Sequence, residues 1–351
     1  MEGDHMGLQK IYIELTDNCN LNCKMCYRRS WGNLFGDMKN EVLHKLVNEI
    51  KEQDEVREIV IGGIGEPTYA GNFKKALELL KDYSITVTTN GTLINEELAE
   101  YLIQYVDNIT VSIDGTPDTF QEIRGIDLSL VENNIKMLNM LKGRFNSKKP
   151  VVEVQFVLSD ENKNDIFKVI DIAKELKAHR FIVSNMIPQL EANKDSILYT
   201  RYENLEIKNL FQKIILYCMK KGIMVSLPDF ELKTIRECRF IENSSAYICS
   251  SGEVSPCYRF SHDYTEYVFG RKKQIKKFVF GSLELESLKD IWDHENYAKF
   301  RERITNNKYP SCLDCNFVDG CDYVTGIEDD CFGLSPSCGD CLWSRKFTQC
   351  P

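Results

Sequence analysis

The sequence predicts an α/β fold, a partial (β/α)6 barrel followed by a cysteine-rich domain. Three observations predict it. Short β-branched runs alternate with stretches of helical periodicity from Leu8 to Ser184, the pattern of parallel β/α units. That alternation stops near Pro188. The 14 cysteines fall on either side of it: three between Cys19 and Cys26, none from there to Cys218, and eleven from Cys218 to Cys350. The 351 residues thus divide into a barrel over 8–188, a connecting helical segment over 189–235 and a cysteine-rich domain over 236–351.

Taken in order, Leu8 to Leu15 is an apolar run that leads into a polar loop and reads as the first strand. Over Asn40–Ile50, Val42, Leu43, Leu46, Val47 and Ile50 repeat at helical spacing. Glu58–Ile61 is a short strand ending in glycines, Phe73–Leu80 is helical and Ile85–Thr89 is a strand. Asn95 caps the next helix, whose stripe is Leu98, Tyr101, Leu102 and Tyr105. Strands over Asn108–Ile113, Val151–Leu158 and Arg180–Ser184 alternate with helices over Leu130–Leu141 and Ile166–Leu176. Six strands favour a partial barrel over a closed eight-fold one, and sites in such folds lie at the carboxyl ends of the strands. Residues 189–204 are polar and irregular. Leu205–Met219 is a helix that carries Cys218 in register with Leu210, Phe211, Ile214 and Ile215, which makes Cys218 a core cysteine. The basic run Arg271–Lys277 reads as a solvated hairpin tip, with a docking site for an acidic partner as the other reading.

Apolar residues make up 43% of the chain and charged residues 28%, the balance of a soluble globular protein. A net charge of −9 with no strongly basic block argues against a nucleic-acid partner gripped through phosphates. No apolar run is long enough to span a bilayer and no signal peptide opens the chain, so no membrane partner and a cytoplasmic location are expected. Met1–Met6 reads as a short polar leader. In a reducing compartment so many cysteines more often bind metal than pair as disulfides.

Cys19, Cys23 and Cys26 stand at C-x3-C-x2-C spacing in one short loop after the first strand. Three thiolates from one loop hold three corners of an iron–sulfur cube and leave the fourth iron open to a small chelating molecule. A structural zinc site wants four protein ligands, and no nearby histidine supplies the last. The aromatic Tyr27 follows directly and is counted with the cofactor site. Ile61-Gly62-Gly63-Ile64-Gly65-Glu66-Pro67 follows the second strand, where glycines let backbone approach a ligand closely. Thr88-Thr89-Asn90-Gly91-Thr92 ends the third strand and Ser112-Ile113-Asp114-Gly115 the fourth. Both put small polar groups, Thr88 and Asn90 among them, where a ribose or carboxylate could be bonded, and both also fit ordinary turn chemistry.

The cysteine loop and the glycine turn together resemble the signatures of the radical SAM superfamily. The resemblance implies a 4Fe–4S cluster at Cys19, Cys23 and Cys26 that binds S-adenosyl-L-methionine (SAM) through its open iron. It implies that the turn with Gly63, Gly65, Glu66 and Pro67 takes the amino end of the methionine moiety, although Ile64 is one residue more than the family pattern has. Asp114-Gly115 with Phe120 and Arg124-Gly125 resembles a pattern of the SPASM branch. That implies that Ser112 and Arg124 hold the SAM carboxylate and that Asp114 faces the active site, with Gln155 and Val157 on the adenine side.

In the cysteine-rich domain, Cys238-x13-Gly252-x4-Cys257 precedes Cys312-x2-Cys315-x5-Cys321, then Cys331, Cys338, Cys341 and Cys350. The C-x2-C spacing is shared by zinc knuckles and cluster sites. Next to the first loop, the arrangement resembles a SPASM domain with one or two auxiliary 4Fe–4S clusters, and Leu283–Ile304 resembles its helix. Family ligands interleave. Carried over, Cys238, Cys257 and Cys331 go to the first auxiliary cluster, and Cys312, Cys315, Cys321 and Cys341 to the second. Thr325 stands where the family has a further cysteine, so Cys249, Cys338 and Cys350 are spare candidates, one of them to complete the first auxiliary cluster. In sulfatase-maturing relatives an aspartate serves as base where Tyr258 stands, so that reaction is not expected. Cys331–Trp343 and Gly62–Tyr69 are similar to stretches of radical SAM maturases of tungsten-containing, aldehyde-oxidoreductase-like enzymes.

These resemblances imply one-electron cleavage of SAM to a 5′-deoxyadenosyl radical that takes hydrogen from a substrate at the barrel mouth. The auxiliary clusters would accept an electron or ligate the substrate. The implied partners are a protein or peptide substrate and a low-potential electron donor such as ferredoxin or flavodoxin. Two substrate readings stay open. One is maturation of a protein, a peptide or an enzyme-bound cofactor. The other is crosslinking or epimerisation of a ribosomal peptide, for which any leader-binding domain would be a separate protein, since only 18 residues precede Cys19. A non-catalytic iron–sulfur or zinc protein would leave Gly62–Pro67 and Arg124 without a task.

Overall fold

The computed structural model describes residues 7–31 and 36–349; the leader at Met1–Met6 and Cys350 lie outside the described residues. The first half repeats strand and helix. In order come β1 (Lys10–Ile13), α1 (Asn40–Lys51), β2 (Glu58–Ile61), α2 (Phe73–Leu79), β3 (Ser84–Thr89), α3 (Glu96–Tyr105) and β4 (Asn108–Ser112). Then follow α4 (Pro117–Arg124), α5 (Leu128–Arg144), β5 (Val151–Leu158), α6 (Ile166–Glu175) and β6 (Arg180–Asn185). These six strands pair in parallel in sequence order.

The period of two decides what faces where. Ile11 and Ile13, Ile59 and Ile61, Ile85 and Val87, Ile109 and Val111, Val154 and Phe156 all pack under the helices in one core. Their neighbours Thr88, Ser112, Gln155 and Val157 face the other side and line a cavity. The helices supply matching stripes: Leu43, Leu46, Val47 and Ile50 from α1, and Val131, Ile135, Leu138 and Leu141 from α5. Burying each such side chain is worth roughly 1.5–3 kcal/mol. The side chain of Asn95 accepts from the Leu98 N–H at 2.8 Å and caps α3 as expected. Cys218 is fully buried in the core on α7 (Leu205–Lys221).

The sheet is wider than six strands. After α7, β7 (Met224–Ser226) adds in parallel beside β6. After α8 (Arg239–Glu242), β8 (Ser245–Ile248) pairs in parallel with β1, and β9 (Glu253–Ser255) turns back along it. Next come the hairpin β10 (Tyr264–Val268) and β11 (Arg271–Ile275), then β12 (Gly281–Ser282), α9 (Leu288–Asp293) and α10 (Glu295–Thr305). With β12 beside β9, ten strands among the described residues share one sheet. The helix expected over Leu283–Ile304 is thus two helices that meet at His294.

The basic run is not a solvated tip. Its turn is Phe269-Gly270, and Arg271–Ile275 is the second strand of the hairpin. Lys273 is 2% exposed, because its ammonium pairs with Asp340 at 3.1 Å. Among the described residues no helix is long and apolar enough to cross a membrane.

Candidate active site

The cysteine loop leaves β1 and is fixed by its own backbone and by two arginines. The Cys26 N–H donates to the Cys23 carbonyl at 3.2 Å, and the Lys24 N–H to the Ile123 carbonyl at 2.8 Å. Arg28 Nη1 donates to Leu21 O at 3.2 Å, Arg29 Nε to Cys23 O at 2.9 Å and Arg29 Nη2 to Asn22 O at 3.1 Å. Neither arginine was singled out from the sequence; their place two and three residues after Cys26 was the available signal. Cys19 Sγ accepts from the Leu21 N–H at 3.4 Å and from Asn90 Nδ2 at 3.8 Å. Burial pushes the Cys19 thiol up to about 11 and raises that of Cys26 as well. Desolvated thiols gathered at one place, with the Arg124 guanidinium nearby, suit cationic iron that takes them as thiolates.

The three cysteines line one cavity of about 280 Å³ with residues from the ends of successive strands. Tyr27, Gly63, Gly65, Glu66, Thr88, Asn90, Ser112, Arg124, Gln155 and Val157 all reach it. The glycines are required by contact. Gly63 has φ +138°, and a Cβ there would lie 2.8 Å from the Tyr247 hydroxyl and 2.9 Å from Glu14. At Gly65 a Cβ would lie 2.2 Å from the Thr16 carbonyl oxygen and 2.5 Å from that of Asn18. The glycine turn therefore rests directly on the backbone that enters the cysteine loop.

Two predicted residues play other parts. Asp114 is fully buried and does not line the cavity. Its Oδ2 accepts from Arg124 Nε at 2.7 Å and also from Nη2, and its Oδ1 accepts from the Val157 N–H at 2.7 Å. It is the counter-ion that holds Arg124 at the cavity, because a guanidinium cannot be buried there alone. Pro67 is buried at the start of a short 3-10 turn and also stands off the cavity. Glu66 reaches the cavity, but four protein donors use its carboxylate. Oε1 accepts from the Thr68 N–H at 3.1 Å, the Thr68 hydroxyl at 2.6 Å and the Thr89 hydroxyl at 2.7 Å; Oε2 accepts from the Asn90 N–H at 2.7 Å. Burial raises its pKa while these bonds oppose the rise. Glu66 ties the loop after β2 to the loop after β3.

Sequence reasoning missed two further sets. Glu14, fully buried at the end of β1, accepts from the Tyr247 hydroxyl at 2.9 Å and from the Ile64 N–H at 3.2 Å, and its other oxygen lies 2.8 Å from His262 Nε2. Trp31 stacks on His262 with centroids 4.1 Å apart. Tyr247 on β8 and His262 thereby hold the glycine turn through Glu14. The chain's last described stretch enters the same space: Trp343, Thr348 and Gln349 line the cavity with Ser184 and Asn185 of β6. The Ser184 and Thr348 hydroxyls are 2.9 Å apart, and Asn185 Nδ2 donates to Phe347 O at 2.9 Å.

Among the described residues every cysteine is free, and no three His, Cys, Asp or Glu side chains converge as ligands of a single ion. The second-domain cysteines instead form two groups. Cys238, Cys257, Cys338 and Cys341 line one small buried cavity. Burial pushes the Cys238 thiol up to about 12 and those of Cys257 and Cys338 well above the ordinary value, each raised further by its neighbours in the group. Cys312 and Cys331 are near Cys321, and Cys331 also near Cys315. Cys331 and Cys341 are therefore exchanged relative to the interleaved expectation. Cys249 stands apart; its thiol donates to Ser261 O at 3.7 Å. Between the groups, Arg259 pairs with Glu266 at 2.7 Å and with Asp340 at 2.9 Å, all three buried. Cysteines spread around a cavity fit a multi-atom iron–sulfur group.

Comparison with known proteins agrees. The family described as the radical SAM superfamily matches residues 13–198, and the one described as an iron-sulfur cluster-binding domain, SPASM, matches residues 238–316. A curated relative from Pyrococcus furiosus, the tungsten-containing aldehyde ferredoxin oxidoreductase cofactor-modifying protein, is 36% identical over 98% of this chain and 97% of its own length. Among solved structures, native anSMEcpe with bound AdoMet superposes with a TM-score of 0.66 at 20% identity, covering 95% of this chain and 93% of that one. Streptococcus suis SuiB bound to precursor peptide SuiA gives a TM-score of 0.64 at 17% identity, covering 95% and 76%. These two likenesses concern the fold.

Proposed function

From the premise that the chain belongs to the radical SAM superfamily and carries a SPASM domain after its barrel, we propose that it modifies an enzyme-bound cofactor, or the polypeptide holding one, in the maturation of a tungsten-containing oxidoreductase. It is a radical SAM enzyme whose cofactors are SAM, a 4Fe–4S cluster and auxiliary iron–sulfur clusters. The observation that carries the substrate reading is the likeness to the Pyrococcus protein, which runs through the whole chain rather than the barrel alone.

When bound, the cluster and SAM supply a 5′-deoxyadenosyl radical by one-electron cleavage. Cys19, Cys23 and Cys26 would hold that cluster, and Arg28 and Arg29 keep their loop in shape. Arg124, its charge balanced by Asp114, presents a cation to a carboxylate. Thr88, Asn90, Ser112 and Gln155 offer hydrogen bonds around the cavity, while Val157, Met186 and Ile187 give it an apolar wall that limits water. Tyr258 and Trp343 close it from the second domain. The electron would come from a low-potential donor such as ferredoxin or flavodoxin.

The test is anaerobic reconstitution with iron and sulfide, reduction with dithionite and addition of SAM. Deoxyadenosine is expected, and its yield should rise when the unprocessed, tungsten-free oxidoreductase is added. No deoxyadenosine from protein with a loaded first cluster sinks the catalytic reading. An unchanged yield and unchanged mass of oxidoreductase and cofactor sink the substrate reading.

A further inference from the structure

The four cysteines at one cavity come from distant parts of the chain. Cys238 stands immediately before α8, and Cys257 immediately before the 3-10 turn Tyr258–Phe260. Cys338 and Cys341 come from the closing stretch, where the Cys341 N–H donates to the Cys338 carbonyl at 3.2 Å and turns both into one place. The rest of the wall is mainly apolar, with Phe240, Ile241, Pro256, Phe260, Phe300 and Ile304. Cys331 is absent from it.

We propose that Cys238, Cys257, Cys338 and Cys341 are the complete ligand set of one auxiliary 4Fe–4S cluster, which therefore has no open iron. The proposal rests on the radical SAM reading above and deepens it. Four thiolates satisfy the four irons of a cube, and the other side chains of the wall are mainly apolar. The set differs from the interleaved family pattern in two ways. Its last two members come from one C-x2-C pair beyond the matched domain, and Cys331 belongs to the other cluster.

The location gives the closed set its meaning. Trp343 bounds both this cavity and the active-site cavity. Cys257 faces the first while its neighbour Tyr258 faces the second. A cluster here adjoins the substrate space without coordinating what lies in it.

The experiment uses the full chain with Cys19, Cys23 and Cys26 all changed to alanine, so that only auxiliary clusters load. Single variants Cys257→Ser, Cys338→Ser and Cys331→Ser are added to it, and reduced samples are read by EPR. Cys257→Ser and Cys338→Ser should shift the same signal, and Cys331→Ser the other one. Cyanide, a ligand for open iron, should leave the signal that Cys257→Ser shifts unchanged. The proposal is overturned if Cys331→Ser shifts that signal, if Cys338→Ser leaves it untouched, or if cyanide alters it. Iron should stay near eight per chain in the parent variant, about two clusters; near four also overturns it. None of these readings depends on SAM cleavage, so failure here is distinct from failure to form deoxyadenosine.

Discussion

Asp114 shows how a residue can be found for the wrong reason. The Asp-Gly after the fourth strand marks it as a site residue, yet its carboxylate faces Arg124 and the Val157 N–H rather than the cavity. Nothing in the order of residues says that an arginine at the far end of the next helix folds back onto it. Both groups are largely buried, with side-chain exposures of 0% and 11%. Breaking such a pair from one side leaves an uncompensated charge, which costs about 3–5 kcal/mol. Asp114→Ala should lose that much in urea unfolding and bind SAM weakly in equilibrium dialysis. Asp114→Asn, which still accepts from Val157, should lose less. Equal stability of Asp114→Ala and the parent would remove the counter-ion role. Gly65 is the opposite case, legible as a glycine of the turn but not in its task. A methyl group there meets two backbone carbonyl oxygens that cannot swing away. Gly65→Ala should shift the entry to the cysteine loop and lower the iron held by Cys19, Cys23 and Cys26, while the auxiliary clusters load normally.

At the scale of elements, those of the strand–helix repeat were largely legible and the strands that follow it were not. Five-to-seventeen-residue segments such as β5 and α5 carry enough β-branched content or periodicity to declare themselves. The strands β7 and β8 have 3 and 4 residues; unlike the equally short β2 they lie outside the strand–helix alternation, and their places depend on neighbours far along the chain. Helix α4 was also missed, although Pro117 after Thr116 is a helix start. It matters because Arg124 is its last residue. Its start is fixed by Asp165, whose carboxylate accepts from the Thr116 N–H at 3.1 Å and the Thr116 hydroxyl at 2.9 Å. Burial raises the Asp165 pKa, but the bonds from Thr119 and Thr116 outweigh it and hold it below the usual carboxylate range. A depressed folded value means that this stabilisation is full above the unfolded pKa of about 3.9 and is lost as pH falls through the folded value. Asp165→Asn should therefore flatten the dependence of unfolding free energy on pH between about 5 and 2. At neutral pH it should cost about 1 kcal/mol. An unchanged slope would contradict the assignment.

At the scale of the whole molecule, the cysteine clusters announced two cofactor regions, but not that the chain's closing stretch joins them. The sequence carries no periodicity there, and the contacts span more than 160 positions: Gln349 N–H donates to the Ser184 hydroxyl at 3.1 Å. The same concealment hid Lys273, whose charge reads as surface until Asp340 is placed beside it. Phe347 anchors this stretch. It is fully buried, 4.9 Å from the Tyr199 ring and 5.7 Å from that of Phe269, centroid to centroid. Its carbonyl is bonded by Asn185, so the ring fixes where Thr348 and Gln349 enter the cavity. Phe347→Ala removes a packed ring and should cost about 3–5 kcal/mol. If the stretch were only a strap, that loss would appear in denaturant midpoints and nowhere else. Because it lines the active-site cavity, Phe347→Ala should also raise the KM for SAM and the deoxyadenosine formed without substrate, at unchanged iron content. Tyr199→Phe is the control. Its hydroxyl is buried with no hydrogen-bond partner among the described residues, so removing it should leave stability equal or slightly higher and the KM unmoved. A Phe347→Ala protein that is destabilised yet binds SAM like the parent would confine the closing stretch to holding the domains together.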